Sequence, residues 1–434
     1  MEVGATGAKR LYYDSAALEF TATVTDIRLD SRAGTEQLWQ VALSQTAFYP
    51  ESGGQPWDTG VLIAVARSGV TLEVPVERVE EDEHGEVWHF VRKPLVAGTE
   101  VTGIVNAERR SDHEQQHSGQ HLLSAMFLRE VGAPTVSFHL GVESSTIDLA
   151  LREGAERITD DELRRVEEAA NRVALEGRPM ISHWVERGLA EAMLERGDLR
   201  KLPEREGPFR IVQMQGIEFN ACGGTHVSST SAIGATMLRK VEKVRQGWRV
   251  EYVCGLRAVR TARRDFEMLG AAAQSLSIGA VDVPARVEAL MQQSKKANKE
   301  RQSLLYELAE AEAYALNARF VPGALINAHY LNRDMSFAKS LAIGLAAKGR
   351  GAVLSVESEG ECAIILQRPP DAMFHAGDVA KSFLQDVASY VEGRGGGTAD
   401  YAQIVFKGRS ASFFAKKLAD LVIRLRETPD PSHN

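Results

Sequence analysis

The sequence of 434 residues contains only three cysteines, Cys222, Cys254 and Cys362. An odd number without paired spacing argues against a disulfide framework and fits a reducing compartment, so we expect a cytoplasmic protein. No apolar run approaches the ~20 residues that a membrane-spanning helix needs. Residues 1–10 also lack the apolar core of a signal peptide. The sequence therefore predicts no association with a membrane.

An excess of positive charge is also lacking. The chain has 59 acidic and 51 basic residues, which gives a formal net charge of −8 at pH 7. This balance argues against a protein that coats nucleic acid non-specifically, but it is compatible with a local basic groove. A hydrophobic content of 44% and a charged content of 25% are typical of globular proteins. The length implies more than one domain.

Two close pairs of metal-ligand residue types are the most informative feature that the sequence contains. His117 and His121 are four positions apart in a predicted helix, so they lie one turn apart on one face. Cys222 and His226 lie far downstream on a short glycine-bearing turn. Either pair alone is more typical of ordinary polar residues, but together they form a nitrogen and sulfur set suited to zinc. Because His113 precedes His117 by one turn, spacing alone does not decide which two histidines bind.

The N-terminal region, residues 1–105, shows the pattern of a β structure. Alternating apolar and polar residues predict strands over residues 18–27, 38–43, 60–65, 71–79 and 86–91. Turn signals separate these strands and no helix pattern interrupts them, so we expect a small β-barrel. The loop over residues 48–59 contains Gly53 and Gly54, which allow a sharp turn and leave backbone N–H groups exposed. A plain hairpin loop is the competing interpretation.

The rest of the chain divides into three regions. Residues 106–256 mix helices with strands and predict an α+β core that contains the candidate metal site. Residues 257–320 are helical and highly charged, with a break at Val283-Pro284. They predict a coiled-coil-like linker, a dimerisation hairpin or a solvated spacer. Residues 321–434 alternate helices and strands, which predicts a C-terminal α/β domain. The fold class is therefore α+β and multidomain.

Several motifs of the sequence resemble those of a known family. The histidine helix and the Cys222-Gly-Gly-Thr-His226 turn resemble the editing domain of alanyl-tRNA synthetase and its freestanding relatives, the alanyl-tRNA editing proteins of the AlaX family. The glycine-rich stretch from Thr46 to Gly60 and the Ser137-Phe-His-Leu-Gly141 segment resemble the same family. The resemblance implies one zinc ion per chain, bound by His117, His121, Cys222 and His226.

The resemblance also implies an activity. The family hydrolyses the aminoacyl ester of tRNA(Ala) that carries serine, and glycine is a second candidate. The ATP motifs of the synthetase's activation module are not recognisable, so we expect editing in trans and not charging. Two alternatives stay open: a zinc-stabilised tRNA-binding protein without catalysis, and a hydrolase of another small ester or amide.

The resemblance implies three further site positions, one of them with two candidate residues. A hydroxyl residue in the strand after the histidine helix would recognise the serine side chain, which makes Ser137 the first candidate and Thr135 the second. Gln120 occupies the position where the synthetases have threonine. Gln55 lies in the glycine-rich stretch that we expect over the metal pocket. The competing interpretation of Ser137 is a strand serine with a routine hydrogen bond.

Basic residues crowd the last hairpin of the core. Strand spacing can direct several of them to one face, which would suit the phosphates of a tRNA acceptor stem. A solvated edge strand is the competing interpretation. The candidates are Arg239, Lys240, Lys243, Arg245 and Arg249.

The C-terminal region carries a partial resemblance of its own. Its glycine-rich segment from Gly393 to Gln403 resembles the DHHA1 domain that ends alanyl-tRNA synthetases, which implies a role in gripping tRNA or pairing subunits. The segment departs from that pattern at Tyr401, Ile404 and Val405. The Asp-His-His motif of the associated phosphoesterases is missing, because Glu114 follows Asp112-His113. We expect a homodimer formed through the helical linker or this domain.

Overall fold

The structure is a computed structural model. It describes residues 8–13, 17–33, 36–66, 69–150, 156–204, 206–245, 247–358, 361–407 and 411–427. Packing divides the chain into two compact units, residues 1–271 and 272–434. The barrel and the α+β core that the sequence predicts as separate domains lie in the first unit. The division falls inside the predicted linker, residues 257–320.

The first unit begins with a closed β-barrel, which confirms the sequence prediction. In the described residues, its antiparallel strands follow the order β1-β2-β5-β4-β3-β6, and β6 closes on β1. Val41, Leu62 and Val74 are completely buried in its interior. The strands are β1 Glu19–Ala33, β2 Glu36–Leu43, β3 Gly60–Val65, β4 Thr71–Glu81, β5 Val87–Val91 and β6 Glu100–Val105.

Helix α1, Ala107–Val131, follows the barrel directly. Asn106 caps it, since its side chain accepts a hydrogen bond of 3.0 Å from the backbone N–H of Arg109. Residues 116–127 are buried without interruption, so the helix is enclosed on all sides and is not an amphipathic surface helix. Its buried polar groups have partners. The Gln116 amide, for example, exchanges hydrogen bonds of 3.0 and 2.9 Å with the backbone of Cys254.

Two sheets and two further helices complete the core around α1. In the described residues, one sheet has the order β12-β13-β8-β7 and the other has the order β9-β10-β11. Apolar side chains of α1, α2 and the first sheet pack together, with Phe127, Val166 and Ile147 fully buried. The elements are β7 Thr135–Leu140, β8 Ser145–Leu149, α2 Asp160–Glu176, β9 Met180–Val185, α3 Arg187–Glu195, β10 Phe209–Met214, β11 Glu218–Ala221, β12 Thr236–Val244 and β13 Gly247–Cys254.

The predicted linker forms two helices, α4 Gly255–Ser275 and α5 Val283–Arg319. The break at Pro284 is where the sequence predicts it, because proline occupies the first turn of α5. The start of α4 belongs to the core, where Ala258 is only 1% exposed. The end of α5 packs on α6, Met335–Ala346, of the second unit through Ala309, Ala313 and Leu316.

The second unit is built on a sheet that, in the described residues, has the order β14-β15-β16-β18-β17. The parallel pair is β14 and β15, and the other neighbours are antiparallel. Glu359-Gly360, for which the sequence predicts a hairpin turn, lies outside the described residues. The elements besides α6 are β14 Ile326–Leu331, β15 Ala352–Ser358, β16 Glu361–Gln367, α7 Ala376–Val387, β17 Gly393–Gly397, β18 Tyr401–Lys407 and α8 Ala411–Glu427. Among the helices of the described ranges, none has the length and apolar character that crossing a membrane requires.

Candidate metal centre

The four side chains predicted as metal ligands converge in the first unit. His117 and His121 come from α1, and Cys222 and His226 come from the turn after β11. One ligand atom from each lies within 4.8 Å of the others. Cys222 Sγ is 3.4 Å from His117 Nε2 and 3.3 Å from His226 Nε2. One tetrahedral zinc ion separates its nitrogen and sulfur ligands by about 3.6 Å, so the spacing fits zinc. His113 is not part of this cluster.

The second ring nitrogen of each histidine in the cluster faces a polar partner. His117 Nδ1 is 2.8 Å from Gln55 Oε1, and His226 Nδ1 is 3.1 Å from Ser118 Oγ. His121 Nδ1 is 3.5 Å from Glu218 Oε1. Such partners fix the ring orientation and the tautomer, which leaves each Nε2 free to bind a metal. The donor chemistry of the cluster therefore also fits zinc.

The electrostatics of the metal-free cluster favour a thiolate. Burial alone would raise the pKa of Cys222, but the neighbouring His117 and His226 hold it well below the ordinary value for a thiol. Burial lowers the pKa of His226 to about 3, so this imidazole is neutral at pH 7. Burial also lowers the pKa of His121, but hydrogen bonds to Cys222 and Glu218 outweigh it and raise that pKa to about 9. Without a metal, the centre therefore favours a thiolate at Cys222 beside a protonated His121.

Two glycines, Gly223 and Gly224, follow Cys222 in this turn, and only Gly224 has no room for a side chain. A Cβ atom at Gly224 would lie 2.1 Å from His117 Cε1 and 2.9 Å from Gln55 Oε1. A Cβ atom at Gly223 would meet nothing within 4 Å. Only the second glycine is therefore needed for His117 and Gln55 to approach this turn.

The glycine-rich loop brings Gln55 to the centre. Gly53 and Gly54 adopt positive φ angles of 57° and 83°, which favour glycine and turn the chain back. The Gln55 amide is completely buried and also hydrogen-bonds Thr225, through the backbone N–H at 3.1 Å and Oγ1 at 2.8 Å. It therefore joins the loop to both α1 and the turn that carries Cys222.

The base of this loop is held by a buried ion pair between Asp58 and Arg110. Arg110 Nε donates to Asp58 Oδ2 at 3.0 Å, and Arg110 Nη2 donates to the Ala47 carbonyl at 2.6 Å. Both charged side chains are 1% exposed. Removal of one partner would leave an unpaired buried charge, so the pair fixes the loop against α1.

The structure does not bring Ser137 to the metal-ligand cluster. Its hydroxyl donates to Asp148 Oδ2 at 2.8 Å, while the next residue, Phe138, packs toward His117 with ring centroids 5.8 Å apart. Successive side chains of a strand point to opposite faces, so Ser137 lies on the face away from α1. This placement favours Thr135 over Ser137 as the hydroxyl nearest to α1, and the role of Ser137 in the pocket stays a prediction.

Thr135, the second candidate, lies on the inner face. A bulge between Asp148 and Leu149 puts Thr135 opposite Leu149, which is buried. Thr135 Oγ1 donates to Ser124 Oγ at 2.7 Å, and Gln120 Nε2 donates to the same oxygen at 2.7 Å. Gln120 and Thr135 thus belong to one polar group on α1 and β7.

The basic residues of the last hairpin are largely engaged with the chain's own carboxylates. Arg239 pairs with Asp265, Lys240 with Glu242, and Arg249 with Asp148. Lys243 and Arg245 are exposed. Their role in tRNA binding stays a prediction.

Sequence reasoning missed Ser118, Ser124 and Glu218. Ser118 follows His117 directly, yet its partner His226 lies 108 positions away. Glu218 precedes the Cys222 turn by four positions. An acidic residue close in sequence to a predicted ligand is a weak signal that it orients a ligand histidine. A serine between two histidines gives no such signal.

Two family models of tRNA synthetases match parts of the chain that contribute to the site. Residues 209–250 match the family model described as the threonyl and alanyl tRNA synthetase second additional domain. These residues include Cys222 and His226. Residues 2–109 match the family model of class II (A) tRNA synthetases. This second match includes the barrel and the glycine-rich loop.

Two relatives cover most of the chain. The alanine–tRNA ligase of Pyrococcus abyssi is 31% identical over 428 residues, which are 96% of this chain and 43% of the ligase. The alanyl-tRNA editing protein Aarsd1 of Mus musculus is 29% identical over 395 residues, which are 88% of this chain and 90% of the mouse protein. The chain thus spans less than half of the ligase and nearly all of the editing protein.

A solved structure resembles part of the chain only weakly. The C-Ala domain of Aquifex aeolicus alanyl-tRNA synthetase is 19% identical and covers 24% of this chain and 90% of that domain, with a TM-score of 0.19. A score at this level establishes no common fold.

Proposed function

We propose that the chain is an alanyl-tRNA editing protein that deacylates mischarged tRNA(Ala) in trans. The substrate would be tRNA(Ala) that carries serine, with glycine as a second candidate. The observation that carries the proposal is the convergence of His117, His121, Cys222 and His226 beside the buried Gln55 of the glycine-rich loop. The similarity to the mouse editing protein over 90% of its length supports the same reading.

The reaction needs little beyond a positioned water and stabilisation of charge. An aminoacyl ester is activated, and its hydrolysis releases the amino acid and the intact 3′ end of the tRNA. A bound zinc ion would supply a positive charge that polarises or orients the ester. The chain's own contribution is to hold the ligands, because Gln55 and Ser118 orient their histidines. Precise positioning of this kind contributes strongly to rate.

Selectivity for serine requires a polar group that alanine would leave unpaired. We assign this role to Thr135 together with Ser124 and Gln120, which form the polar group on α1 and β7. Gln120 and Ser124 are both buried. A site built to hydrogen-bond a hydroxyl discriminates strongly against a substrate that lacks it. Ser137 is the weaker candidate because its hydroxyl is bound to Asp148 on the other face of the sheet.

The remaining regions would serve binding. The second unit would grip tRNA and pair two subunits, as the DHHA1-like segment from Gly393 to Gln403 implies. The first half of α5 presents exposed apolar side chains, such as Val287 and Met291, that suit a homodimer. The basic hairpin around Lys243 and Arg245 would contact the acceptor stem.

One observation favours a second candidate, a zinc-stabilised tRNA-binding protein without catalysis. All four positions of a tetrahedral ion would be filled by the chain, whereas catalytic zinc usually keeps one position open. A structural ion of this kind would stabilise the fold and leave tRNA binding intact.

Incubation with tRNA(Ala) that carries serine, glycine or alanine separates the candidates. We expect loss of the seryl ester above the rate of spontaneous hydrolysis, and no loss when Cys222→Ala has removed the metal. Tight binding of all three tRNAs without hydrolysis would support the second candidate. Hydrolysis of simple amino acid esters alone would favour a hydrolase with another substrate.

A further inference from the structure

An arginine-rich cavity of about 520 Å³ lies beside the start of α1 in the first unit. Its walls include Arg109 from α1, and Arg257, Arg260 and Arg264 from α4. The three arginines of α4 follow one another at spacings of three and four, so they share one face of the helix. They are distinct from the basic residues of the last hairpin.

The charge of this cavity is positive although the chain as a whole is acidic. Its carboxylates are Glu108, Asp112 and Glu143, one fewer than its guanidinium groups. Arg260 pairs with Glu108 at 2.5 Å, and Arg257 Nε donates to Asp112 Oδ1 at 3.1 Å. These two pairs neutralise most of the charge.

Two guanidinium groups remain for a ligand. Arg109 Nε donates to a neutral acceptor, the Trp57 carbonyl, at 2.9 Å. Arg264 has no ion pair within the described part of the chain. Among the described residues that line the cavity, Glu143 is the one carboxylate outside these two pairs. The cavity therefore offers a net positive charge that one singly charged anion would balance.

His113 adds a buried polar group to the same wall. It is 6% exposed, it lines the cavity, and its Nδ1 has no hydrogen-bond partner in the described residues. A buried ring nitrogen without a partner costs stability, so such a group is expected to bind something. An imidazole N–H beside guanidinium groups provides donors for an oxyanion.

The cavity adjoins the candidate metal centre. His113 precedes the ligand His117 by one turn of α1, a rise of about 5.4 Å. On the other side, Pro56 of the cavity wall directly follows Gln55, which contacts His117. An ester placed at the metal centre would thus bring the backbone of the same nucleic acid strand close to this cavity.

We propose that the cavity binds a backbone phosphodiester near the 3′ end of the tRNA substrate, through Arg109, Arg264 and His113. This inference rests on the proposed function, because that function places the ester at the metal centre. Guanidinium groups match phosphate oxygens in geometry, and a phosphodiester carries a single negative charge. The contact would position the acceptor end independently of its sequence.

The test compares two neighbouring arginines of α4 in the full chain. Arg264 lines the cavity, whereas Arg263 lies against Phe266 and lines a different, more apolar depression. Binding of uncharged tRNA(Ala) is measured at several salt concentrations for wild type, Arg264→Gln and Arg263→Gln. We expect Arg264→Gln to weaken binding roughly tenfold and to lower the slope of log affinity against log salt by about 0.7–0.9. Arg263→Gln should match wild type.

Three results would overturn the proposal. Equal behaviour of the two variants would show that Arg264 makes no special contact with the tRNA backbone. Binding of inorganic phosphate is measured for the same proteins. If Arg264→Gln weakens binding of phosphate but leaves the affinity for tRNA unchanged, the cavity binds free phosphate and not the tRNA backbone. Loss of zinc from Arg264→Gln would assign this arginine to the fold.

The proposed function is tested separately in the same samples. If wild type binds tRNA(Ala) with the expected dependence on Arg264 but leaves Ser-tRNA(Ala) intact, the phosphate contact stands and the deacylase proposal fails. If wild type hydrolyses Ser-tRNA(Ala) while Arg264→Gln binds tRNA normally, the deacylase stands and the phosphate contact fails.

Discussion

Two adjacent glycines beside Cys222 provide a direct test of the metal centre at the residue scale. Gly224→Ala should displace His117 or Gln55, because a Cβ atom there would lie 2.1 Å from the His117 ring. We expect zinc affinity to fall by about 10–100-fold, as when a partner of a ligand is lost. Gly223→Ala has open space and should keep its zinc. Competition with a chelator measures both variants, and equal zinc affinities would contradict the assigned geometry.

The protonation of His121 predicts how zinc binding depends on pH. The pKa of His121 in the metal-free centre is raised to about 9, so below that pH the ring carries a proton that zinc must displace. Affinity should therefore rise about tenfold per pH unit from pH 7 to about 9 and then level off.

Glu218 provides the control for this pH dependence. Glu218→Gln removes one of the groups that raise the pKa of His121, so the levelling should move to lower pH. Titration of zinc affinity against pH measures the effect. A flat profile in wild type, or a levelling point that Glu218→Gln leaves in place, would show that His121 is not the titrating ligand.

The ligands could be predicted from the sequence, but most of their partners could not. The helical repeat places His117 and His121 on one face, but His113 has the same spacing to His117, so the choice between them depends on the family resemblance. The contact between Ser118 and His226 joins residues 108 positions apart, and it depends on how the Cys222 turn docks against α1. Gln55 lies in the glycine-rich stretch that the sequence identifies. Its contact with His117 depends on how that loop folds, which the sequence pattern does not show.

At the scale of elements, strand β7 separates two candidate hydroxyl residues. Thr135 faces α1 and bonds Ser124, whereas Ser137 faces away and bonds Asp148. Thr135→Val keeps the shape and removes the hydroxyl, so we expect a loss of selectivity for serine over alanine of about 1–3 kcal/mol. Deacylation rates on both charged tRNAs give this ratio. The matched change Ser137→Ala should leave the ratio unchanged, and the reverse pattern would restore Ser137 to the pocket.

The same elements show what patterning can and cannot predict. The five barrel strands predicted from the sequence and the break at Pro284 follow from local rules, and the structure has them close to where the sequence places them. The first strand continues to Ala33, and the sixth strand, Glu100–Val105, has no counterpart in the prediction. Helix α1 has no exposed polar face in its second half, since residues 116–127 are all buried. Its polar residues are tolerated inside because partners such as Cys254 satisfy them, and such partners are not visible in local sequence. The bulge that places Thr135 inward is equally invisible.

At the scale of the whole molecule, the account predicts a division of labour between the two units. A chain that ends at Ser275 keeps every predicted metal ligand, the glycine-rich loop and the complete helix α4. We expect it to retain zinc and its single-turnover rate, but to bind tRNA more weakly. KM should then rise more than kcat falls, as when uniform binding is lost.

Affinity and rate together decide this prediction. If the shortened chain binds tRNA as tightly as the full chain but no longer forms dimers, the second unit serves dimerisation alone. Bound zinc without single-turnover chemistry would show that the second unit takes part in the reaction.

The central claim is that the metal centre hydrolyses seryl and spares alanyl tRNA(Ala). Single-turnover deacylation of the two esters by the zinc-loaded full chain tests it most directly. The account predicts a rate for Ser-tRNA(Ala) on the order of a hundredfold or more above that for Ala-tRNA(Ala), because alanine lacks the hydroxyl that the polar group at Thr135 would hydrogen-bond. Equal rates on both substrates, or no hydrolysis of either above the spontaneous rate, would contradict it.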